Sequence, residues 1–433
     1  MPTTALKPDA RSILRAWPAA RPLCALIGDA SGVGVIGEPS QANPSLDDAL
    51  GAACRESEAG LSLPVHVAAV AYEHGAAIEP AADAPHAVRR LTDRTLHPKR
   101  TLQPIVQRIE QGYVSRAGEW TATSAEPVDA DAAPGLYRVG SFSSRMGRSA
   151  YERAVAATVE AIHAGDIFQA NIAHPLEARF EGDARGAFTD LMQTLAPGFG
   201  AYLEDRSESG DLKRIVISVS PELFLRAQRE EGGITVTTRP IKGTRPASEA
   251  SSCELEASAK DHAELAMIVD LMRNDLGRVA KFGSVRVTQP RVIERHHAGS
   301  IDHAVATVSA RPRDDATLND LMRATFPPGS ITGAPKIRAM QIIDELETDP
   351  RGFYCGTIAL LAPSLASMSV AIRTLTIECE PGSTPTDARG TLLLPVGAGI
   401  VADSLPEAEW RETLDKARPI VRALNSSIDG DEQ

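Results

Sequence analysis

The chain lacks any uninterrupted apolar run of about 18 residues, which excludes a membrane-spanning helix on the evidence of sequence, and no membrane partner is expected. Its N-terminus (MPTTALKPDARSILRAW) lacks the charged, then apolar, then small order of a secretory leader, so a cytoplasmic location is expected. Cysteine is scarce: Cys24, Cys54, Cys253, Cys355 and Cys379 are odd in number, scattered, and never spaced C-x-x-C. That pattern excludes a disulfide framework and a zinc ribbon and leaves reduced thiols. Positive charge is outweighed, with 45 Lys+Arg against 57 Asp+Glu and a net charge of -12. A nucleic acid is therefore not expected as a partner. No repeat at a period of 20 to 50 residues is visible. What the chain does have is apolar material, 43% of 433 residues, enough to bury a large core without a metal or disulfide staple.

The punctuation divides the chain into two uneven parts. Residues 1–140 read as a scaffold, rich in Ala, Pro, Asp and His and ending in an acidic small-residue stretch, 121–135, with the composition of an exposed linker. Residues 141–433 carry sharper patterns. Ser149 and Glu152 form a capping box ahead of apolar Tyr151, Val155, Val159 and Ile162, and Gly165 closes the segment, which predicts an amphipathic helix. The following 167–174 alternates as a strand, with Phe168, Ala170 and Ile172 on one face and Gln169 and Asn171 on the other. Strand-like runs at 214–219, 222–226, 234–238, 284–288, 356–361, 368–376 and 391–396 are interleaved with helical patterns near 254–273, 316–324, 335–347 and 405–424. This mix predicts an α+β fold rather than a regular βαβ repeat.

Five segments hold residues with chemical potential. In the 254–273 helix, Glu264 lies on the side of Ile268 and Leu271, where a carboxylate needs a partner; Asp261 one turn earlier could share a cation, or the pair could be a core salt bridge. In the C-terminal helix, Ser404 and Glu407 read as a capping box, and Glu409, Glu412 and Lys416 follow at i+3 and i+4 spacing, either as a solvated face or as hard oxygen ligands suited to Mg²⁺. FPPGSITGAPKIRAM places Gly, Ser and Thr before a helix opened by Pro335, an arrangement that attracts a small carboxylate or phosphate, although no nucleotide P-loop is present. VGAGIVADS sets Gly397 and Gly399 after an apolar strand, where the backbone can approach a ligand closely. Finally, TTRPIKGTRPA holds Lys242 between a strand and a glycine turn, with Arg239 and Arg245 near in sequence. It is either a surface lysine or an amine whose pKa is lowered by its neighbours for nucleophilic work.

In this order, the blocks PIKGTRP, AELAMIVDLMRNDLGRV, FPPGSITGAPKIRAM and GAGIVADSLPEAEWRETLDKAR resemble the chorismate-utilising enzymes, the family of anthranilate synthase component I and aminodeoxychorismate synthase component I, from about Ser149 to Ala423. The resemblance implies a two-sheet β-sandwich with surrounding helices and the active site between the sheets. Members that add water to chorismate carry a lysine where this chain has Gln169. Anthranilate synthases usually have a small residue where it has Lys242, so the resemblance is to the branch that aminates C4 of chorismate in the 4-aminobenzoate and folate route.

Carried over residue by residue, the resemblance implies Mg²⁺ held by Glu264 and Glu412, assisted by Glu409 or Asp261. Lys242 would be the nucleophile at C2 and Glu222 the acid for the leaving hydroxyl, with His303 as a further catalytic position. Tyr354 and Arg373 would hold the enolpyruvyl carboxylate. Gln169, Thr244, Thr332, the Gly397–Ala398–Gly399 backbone and Lys416 would complete the substrate pocket. The chain departs from the family pattern at HAVA around His303, at Ala247 after GTRP, and at APGFGAY (196–202), where relatives bind tryptophan; the N-terminal partner of that loop is only faintly suggested by LIGDA. Feedback by tryptophan is therefore not expected.

No cysteine sits on the glycine-flanked turn of a glutaminase, so chorismate and ammonia are the expected substrates and a separate glutamine amidotransferase subunit the expected partner. No pyridoxal-phosphate lyase module is appended, so the expected product is the amino intermediate and not 4-aminobenzoate. Amination at C2, as in anthranilate synthase, and a non-catalytic paralogue that binds the glutaminase stay as alternatives.

Overall fold

The computed structural model describes residues 9–430 except 11–12, 15–16, 19–20, 28–32, 41–43, 55–64, 76–101, 117–118, 124–134, 247 and 296–300. Most of the expected 121–135 linker, Ala247 and part of LIGDA lie outside the described residues.

The chain begins with β1 (Cys24–Ile27), β2 (Gly34–Pro39), α1 (Leu46–Ala52), β3 (Val65–Val70), β4 (Ile105–Arg116) and β5 (Glu119–Thr123). Then come β6 (Tyr137–Val139), β7 (Ser143–Ser144), α2 (Arg148–His163), β8 (Gln169–Gly182) and α3 (Ala184–Leu195). A run of strands follows: β9 (Phe199–Arg206), β10 (Leu212–Ser220), β11 (Leu223–Glu230), β12 (Gly233–Arg239) and β13 (Ile241–Pro246). Helices α4 (Glu249–Ala257) and α5 (Ala259–Gly277) lead to β14 (Arg286–Arg295), β15 (Ile301–Ala310) and α6 (Leu318–Thr325). The remainder is β16 (Gly333–Ala334), α7 (Lys336–Leu346), β17 (Thr357–Leu361), β18 (Leu365–Val370), β19 (Thr374–Cys379), β20 (Ala388–Ile400) and α8 (Pro406–Ala423).

Pairing among these strands is antiparallel throughout. One half of the sheet runs β8–β20–β19–β10–β9–β1–β2, and the other runs β3–β17–β18–β11–β12–β15, with β13 and β14 also on β15. Strand β4 pairs with β2 and with β3, and so carries the ladder from one half to the other. The period-2 alternation of each strand then decides the stacking. Cys24, Leu26, Val35, Ala201, Leu203 and Val216 from the first half pack with Val65, Val67, Ala69, Ile358 and Leu360 from the second. Their sequence neighbours Ala25, Ile36, Tyr202 and Ile217 turn the other way, onto Phe188 of α3 and Ile420 of α8. On the second half, Ala68, Val70, Ala359 and Leu361 share a core with Val155 of α2 and Ile268 of α5. The result is the expected α+β architecture, two stacked sheet halves with helices outside. The N-terminal strands do not stand apart, because β1 pairs with β9 and β3 with β17.

Several local expectations are corrected. Helix α2 begins at Arg148 with Gly147 as N-cap and no side-chain cap, so Ser149 is already inside the helix and Glu152 pairs with Arg148 at 2.7 Å instead. Ser404 caps nothing: Leu405 is the N-cap, Pro406 opens α8, and the Ser404 hydroxyl donates to Glu409 Oε1 at 2.6 Å. The single helix expected near 254–273 is two, because the Ser258 side chain accepts from Asp261 N and starts α5 afresh. The strand at 368–376 also divides, at Arg373, whose φ is +50°. Phe168 lies before β8 and is 69% exposed, whereas Ala170 and Ile172 are fully buried. Pro335 is the N-cap of α7 and not its first helical residue. Helix α3, capped by Asp183, and strands β9 and β15 are further elements that periodicity alone does not reveal.

Candidate active site

Strand β13 carries Lys242 at the edge of the second sheet half. The register with β15 slips between Ile241 and Thr244, and Gly243 sits in that bulge at φ +84°. A side chain there would strike Leu255 Cδ1 at 2.6 Å and Asp261 Cγ at 3.0 Å, so only glycine lets the bulge settle on α4 and α5. The half-buried Lys242 side chain reaches toward β20 of the first half, where a Cβ added to Gly399 would lie 3.5 Å from Nζ. Among the described residues, no hydrogen bond or ion pair holds that nitrogen.

Burial is the largest influence on Lys242 and lowers its pKa; Glu264 opposes this, Lys416 reinforces it, and Glu222 and Glu412 oppose it. The expected cause is corrected here, because Arg239 and Arg245 do not act on Lys242. Arg239 bonds Glu294, and Arg245 bonds Asp261 at 3.1 Å. Glu222, 4% exposed, enters β11 from the turn after β10, where its N–H donates to Ser220 Oγ. Burial pushes its carboxyl up to about 7, against the pull of hydrogen bonds from Ser330 and Ile241 N–H and of the Lys242 charge.

The two acidic helices come within electrostatic reach of each other: Lys260 of α5 acts on Glu409 and Glu412 of α8, and Glu264 of α5 acts on Lys242 together with Lys416 and Glu412 of α8. Lys260 lies 3.9 Å from Glu264, while Lys416 Nζ is 2.7 Å from Glu412 and donates to Gly397 O at 2.9 Å. Burial would raise Glu412, but Lys416 together with Lys260 and Lys242 holds it below the usual range. Glu409 is pushed up, by burial first and by Glu412 next, and its Oε2 is buried without a hydrogen-bond partner. Hard carboxylate oxygens, one of them orphaned, make a donor set that fits Mg²⁺ in kind. As the side chains stand, no three His, Cys, Asp or Glu among the described residues converge to ligating distance, since Glu412 leans on Lys416 and Asp261 on Arg245.

On β8, Gln169 Oε1 and Asn171 Nδ2 are both buried and unpartnered. Asn171 pairs in register with Gly399, and a Cβ on Gly397 would lie 2.9 Å from its Nδ2. Sequence reasoning does not single out Asn171 as a site residue, although its alternation with Gln169 is a signal for it. Thr332 is buried, gives its hydroxyl proton to Pro328 O at 2.7 Å, and its carbonyl accepts from Asn171 N. Lys336, at the start of α7, turns inward to Asp275 and Thr325 O, both at 2.7 Å, so this helix end offers no free ammonium.

Arg373 joins β18 to β19, and its carbonyl accepts from Val219 N, three residues before Glu222. Burial lowers its pKa, and among the described residues no carboxylate pairs with its guanidinium. Tyr354 is buried in the segment before β17, its pKa raised by burial and then by Cys355. His303 on β15 is buried two residues along the ladder from Lys242, its Nδ1 2.9 Å from Thr244 Oγ1. The site therefore draws Lys242, Glu222, Glu264, Glu412, Lys416 and Gly399 into one electrostatic neighbourhood. His303 and Asp261 lie at its margin, engaged with Thr244 and Arg245.

Comparison with known proteins gives the following. Residues 39–422 match the family of chorismate binding enzymes. Aminodeoxychorismate synthase component 1 of Escherichia coli (strain K12) is 41% identical over 290 residues, 65% of this chain and 59% of that protein. Its counterpart in Klebsiella aerogenes is 39% identical over 314 residues, 71% of this chain and 64% of that one. Anthranilate synthase component 1 of Acinetobacter calcoaceticus is 37% identical over 296 residues, 67% and 56% of the respective chains. The matched segment thus spans less than two thirds of each of these relatives. Among solved structures, anthranilate synthase component I from Streptococcus pneumoniae TIGR4 superposes with a TM-score of 0.65 at 23% identity, covering 97% of this chain and 95% of that one. The menaquinone-specific isochorismate synthase from Escherichia coli gives 0.69 at 15% identity over 98% and 92%. These two show a shared fold.

Proposed function

The chain belongs to the chorismate binding enzyme family, and within it we propose that this member aminates chorismate at C4 with ammonia, giving 4-amino-4-deoxychorismate and water. The observation that carries the reading is Lys242, a lysine with depressed basicity and no ion-pair partner among the described residues, directed at a glycine strand and accompanied by a carboxyl that burial keeps partly protonated near neutrality. Neutral Lys242 attacks C2 as the ring double bonds shift and the C4–O bond breaks, and Glu222 gives its proton to the departing hydroxyl. Ammonia then bonds to C4, the C2–N bond to lysine breaks, and the proton shed by ammonia returns to the Lys242–Glu222 pair. Arg373, which has no carboxylate partner among the described residues, suits the planar enolpyruvyl carboxylate, with Tyr354 as the further group for it. Lys416, Thr332 and the Gly397–Gly399 backbone line the ring-carboxylate end, and Thr244, held by His303, flanks Lys242 on β13. Glu264, Glu412 and Glu409, with Asp261 behind, are the residues that would hold Mg²⁺, whose chemistry when bound is to neutralise that carboxylate and act as a Lewis acid.

The component 1 names of the relatives support a second, glutamine-hydrolysing chain as the source of ammonia. The test is mass-resolved product analysis with pure chain, chorismate, Mg²⁺ and ammonium. A pyruvate-retaining amino product that a separate lyase converts to 4-aminobenzoate is expected. Anthranilate would reassign the chain to C2 amination, and activity with glutamine equal to that with ammonium would overturn the separate subunit.

A further inference from the structure

Behind the site, a chain of hydrogen bonds joins β7, β8 and α8, and its direction can be read. Thr413 has one hydroxyl proton and gives it to Trp410 O at 2.7 Å. His174 Nε2 lies 3.0 Å from the same Thr413 oxygen, so this nitrogen carries a proton and donates it. Nδ1 is then the bare nitrogen and accepts from Ser144 Oγ at 2.9 Å, while Ser144 Oγ accepts from the N–H of Gly147, the N-cap of α2, at 3.1 Å. The His174 ring also stacks on the Trp410 indole, centroids 4.7 Å apart at 20°, and meets the Tyr151 ring of α2 edge-on at 4.9 Å. Tyr151 in turn donates to Ile172 O on β8. His174 is 1% exposed, and burial pushes its pKa down to about 3, so a single neutral tautomer persists across the physiological range.

The consequence follows from helix geometry. Trp410 and Thr413 are an i,i+3 pair gripped by His174, and Glu409 and Glu412 are the i,i+3 pair one residue, about 100°, around the same helix. Fixing the first pair fixes the aim of the second. A rotation of α8 by about 20° would move a carboxylate lying about 6 Å from the axis by about 2 Å, enough to spoil a cation site.

We propose that His174 is a positioning residue, locking the rotation of α8 against β8 and so aiming Glu412 toward Lys242 with Glu409 beside it. It touches no reacting atom in the proposed reaction, and it rests on that reading for its purpose. The probe is Mn²⁺, whose binding to the pure chain is followed by electron paramagnetic resonance without chorismate, alongside the Mg²⁺ dependence of chorismate consumption. His174→Phe keeps a ring on Trp410 but loses both hydrogen bonds. It is expected to weaken Mn²⁺ binding about tenfold and to raise the Mg²⁺ needed for half-maximal rate by the same factor, with KM for chorismate at saturating Mg²⁺ nearly unchanged. Thr413→Val, which removes the acceptor without disturbing the stack, should reproduce the shift if His174→Phe fails to fold. His174→Gln, which keeps a donor near the Nε2 position, should recover most of the affinity.

Variants that melt earlier yet bind Mn²⁺ as the parent does would overturn the proposal and leave His174 a packing residue only. A parent chain that binds no Mn²⁺ would overturn it as well. A parent that binds Mn²⁺, loses affinity in His174→Phe, and consumes no chorismate would support the positioning role while sinking the proposed reaction.

Discussion

Arg185 and Lys242 are both basic side chains held inside this protein, and their surroundings are opposite. Arg185 gives Nε and Nη2 to Glu204 at 3.2 and 2.7 Å, Nη1 to Pro18 O and Nη2 to Arg21 O, while Glu204 also accepts from Arg206 and Tyr202. Arg351 is treated likewise, bonded to Glu347, Ile331 O and Asn171 O and lying over the Tyr72 ring. Around Lys242 the satisfaction stops: Lys242 and Arg373 have no ion-pair partner among the described residues, and Glu409 Oε2, Gln169 Oε1 and Asn171 Nδ2 are buried without hydrogen bonds. A buried polar group left unpaired costs about 1–3 kcal/mol; single orphaned atoms also occur elsewhere, at Tyr72 Oη, Glu73 Oε2, Gln107 Oε1 and Arg206 Nε, but beside Lys242 three of them gather with two basic side chains that have no ion-pair partner among the described residues, an arrangement suited to a ligand. The contrast separates structural from functional charge without reference to any relative.

The sharpest way to break that contrast is to remove one member from each side. Lys242→Ala should lower chorismate consumption by ~10³-fold or more while leaving the melting temperature within a few degrees, because it deletes a nucleophile and no internal bond. Stopped assays of residual chorismate and a thermal melt check both halves of that statement. Arg185→Ala should do the reverse, costing about 3 kcal/mol of stability by removing the buried cation from Glu204 and leaving it only Arg206 and Tyr202, with activity per folded molecule unchanged. Denaturant titration decides it, and a loss below 1 kcal/mol would erase the distinction.

Glu222→Gln sharpens the comparison through pH. The folded carboxyl titrates at about 7 and an unfolded glutamate at about 4.3. Burying it therefore costs nothing below about pH 4, and the cost grows as pH rises and is complete above about 7, on the order of 3 kcal/mol. The variant should accordingly be less active but more stable than the parent at pH 8, with the gain shrinking as pH falls toward 5; an equal gain at both values would refute the buried-acid assignment. The smallest expected effect is Arg373→Gln, which should raise KM for chorismate by about 30-fold, some 2 kcal/mol, with little change in stability. A large stability loss there would mean that Arg373 has an internal partner after all.

How much of this was legible in the sequence differs between fold and site. Amphipathic helices and alternating strands announced most of the C-terminal elements, because their periods are local properties. Helix breaks at Ser258 and the division of 368–376 at Arg373 were not legible, since both depend on where the neighbouring strands and helices lie. Candidate capping boxes at Ser149 and Ser404 failed for a related reason: the spacing was present, but the chain entered α2 from Gly147 and α8 through Pro406. Of the two readings of Lys242 that the sequence leaves open, a surface lysine or an amine of lowered basicity, burial in the fold selects the second, and the cause expected for it does not hold, because Arg239 and Arg245 are near in sequence and turned elsewhere in space.

By itself the sequence determined that this is an acidic α+β chain with its motif-bearing residues after about residue 140, and that Lys242, Gly397, Gly399 and the carboxylates of two helices belong to one ordered set of motifs. Composition and period act along the chain, and a single strand is enough to read them. Only the tertiary structure decided that β13 of one sheet half faces β20 of the other, that Glu264 of α5 and Glu412 of α8 both act on Lys242, and that His174 grips the helix carrying Glu409 and Glu412. Those are relations between segments more than a hundred residues apart, set by which faces of two stacked sheets the side chains must bury, and no local period encodes them.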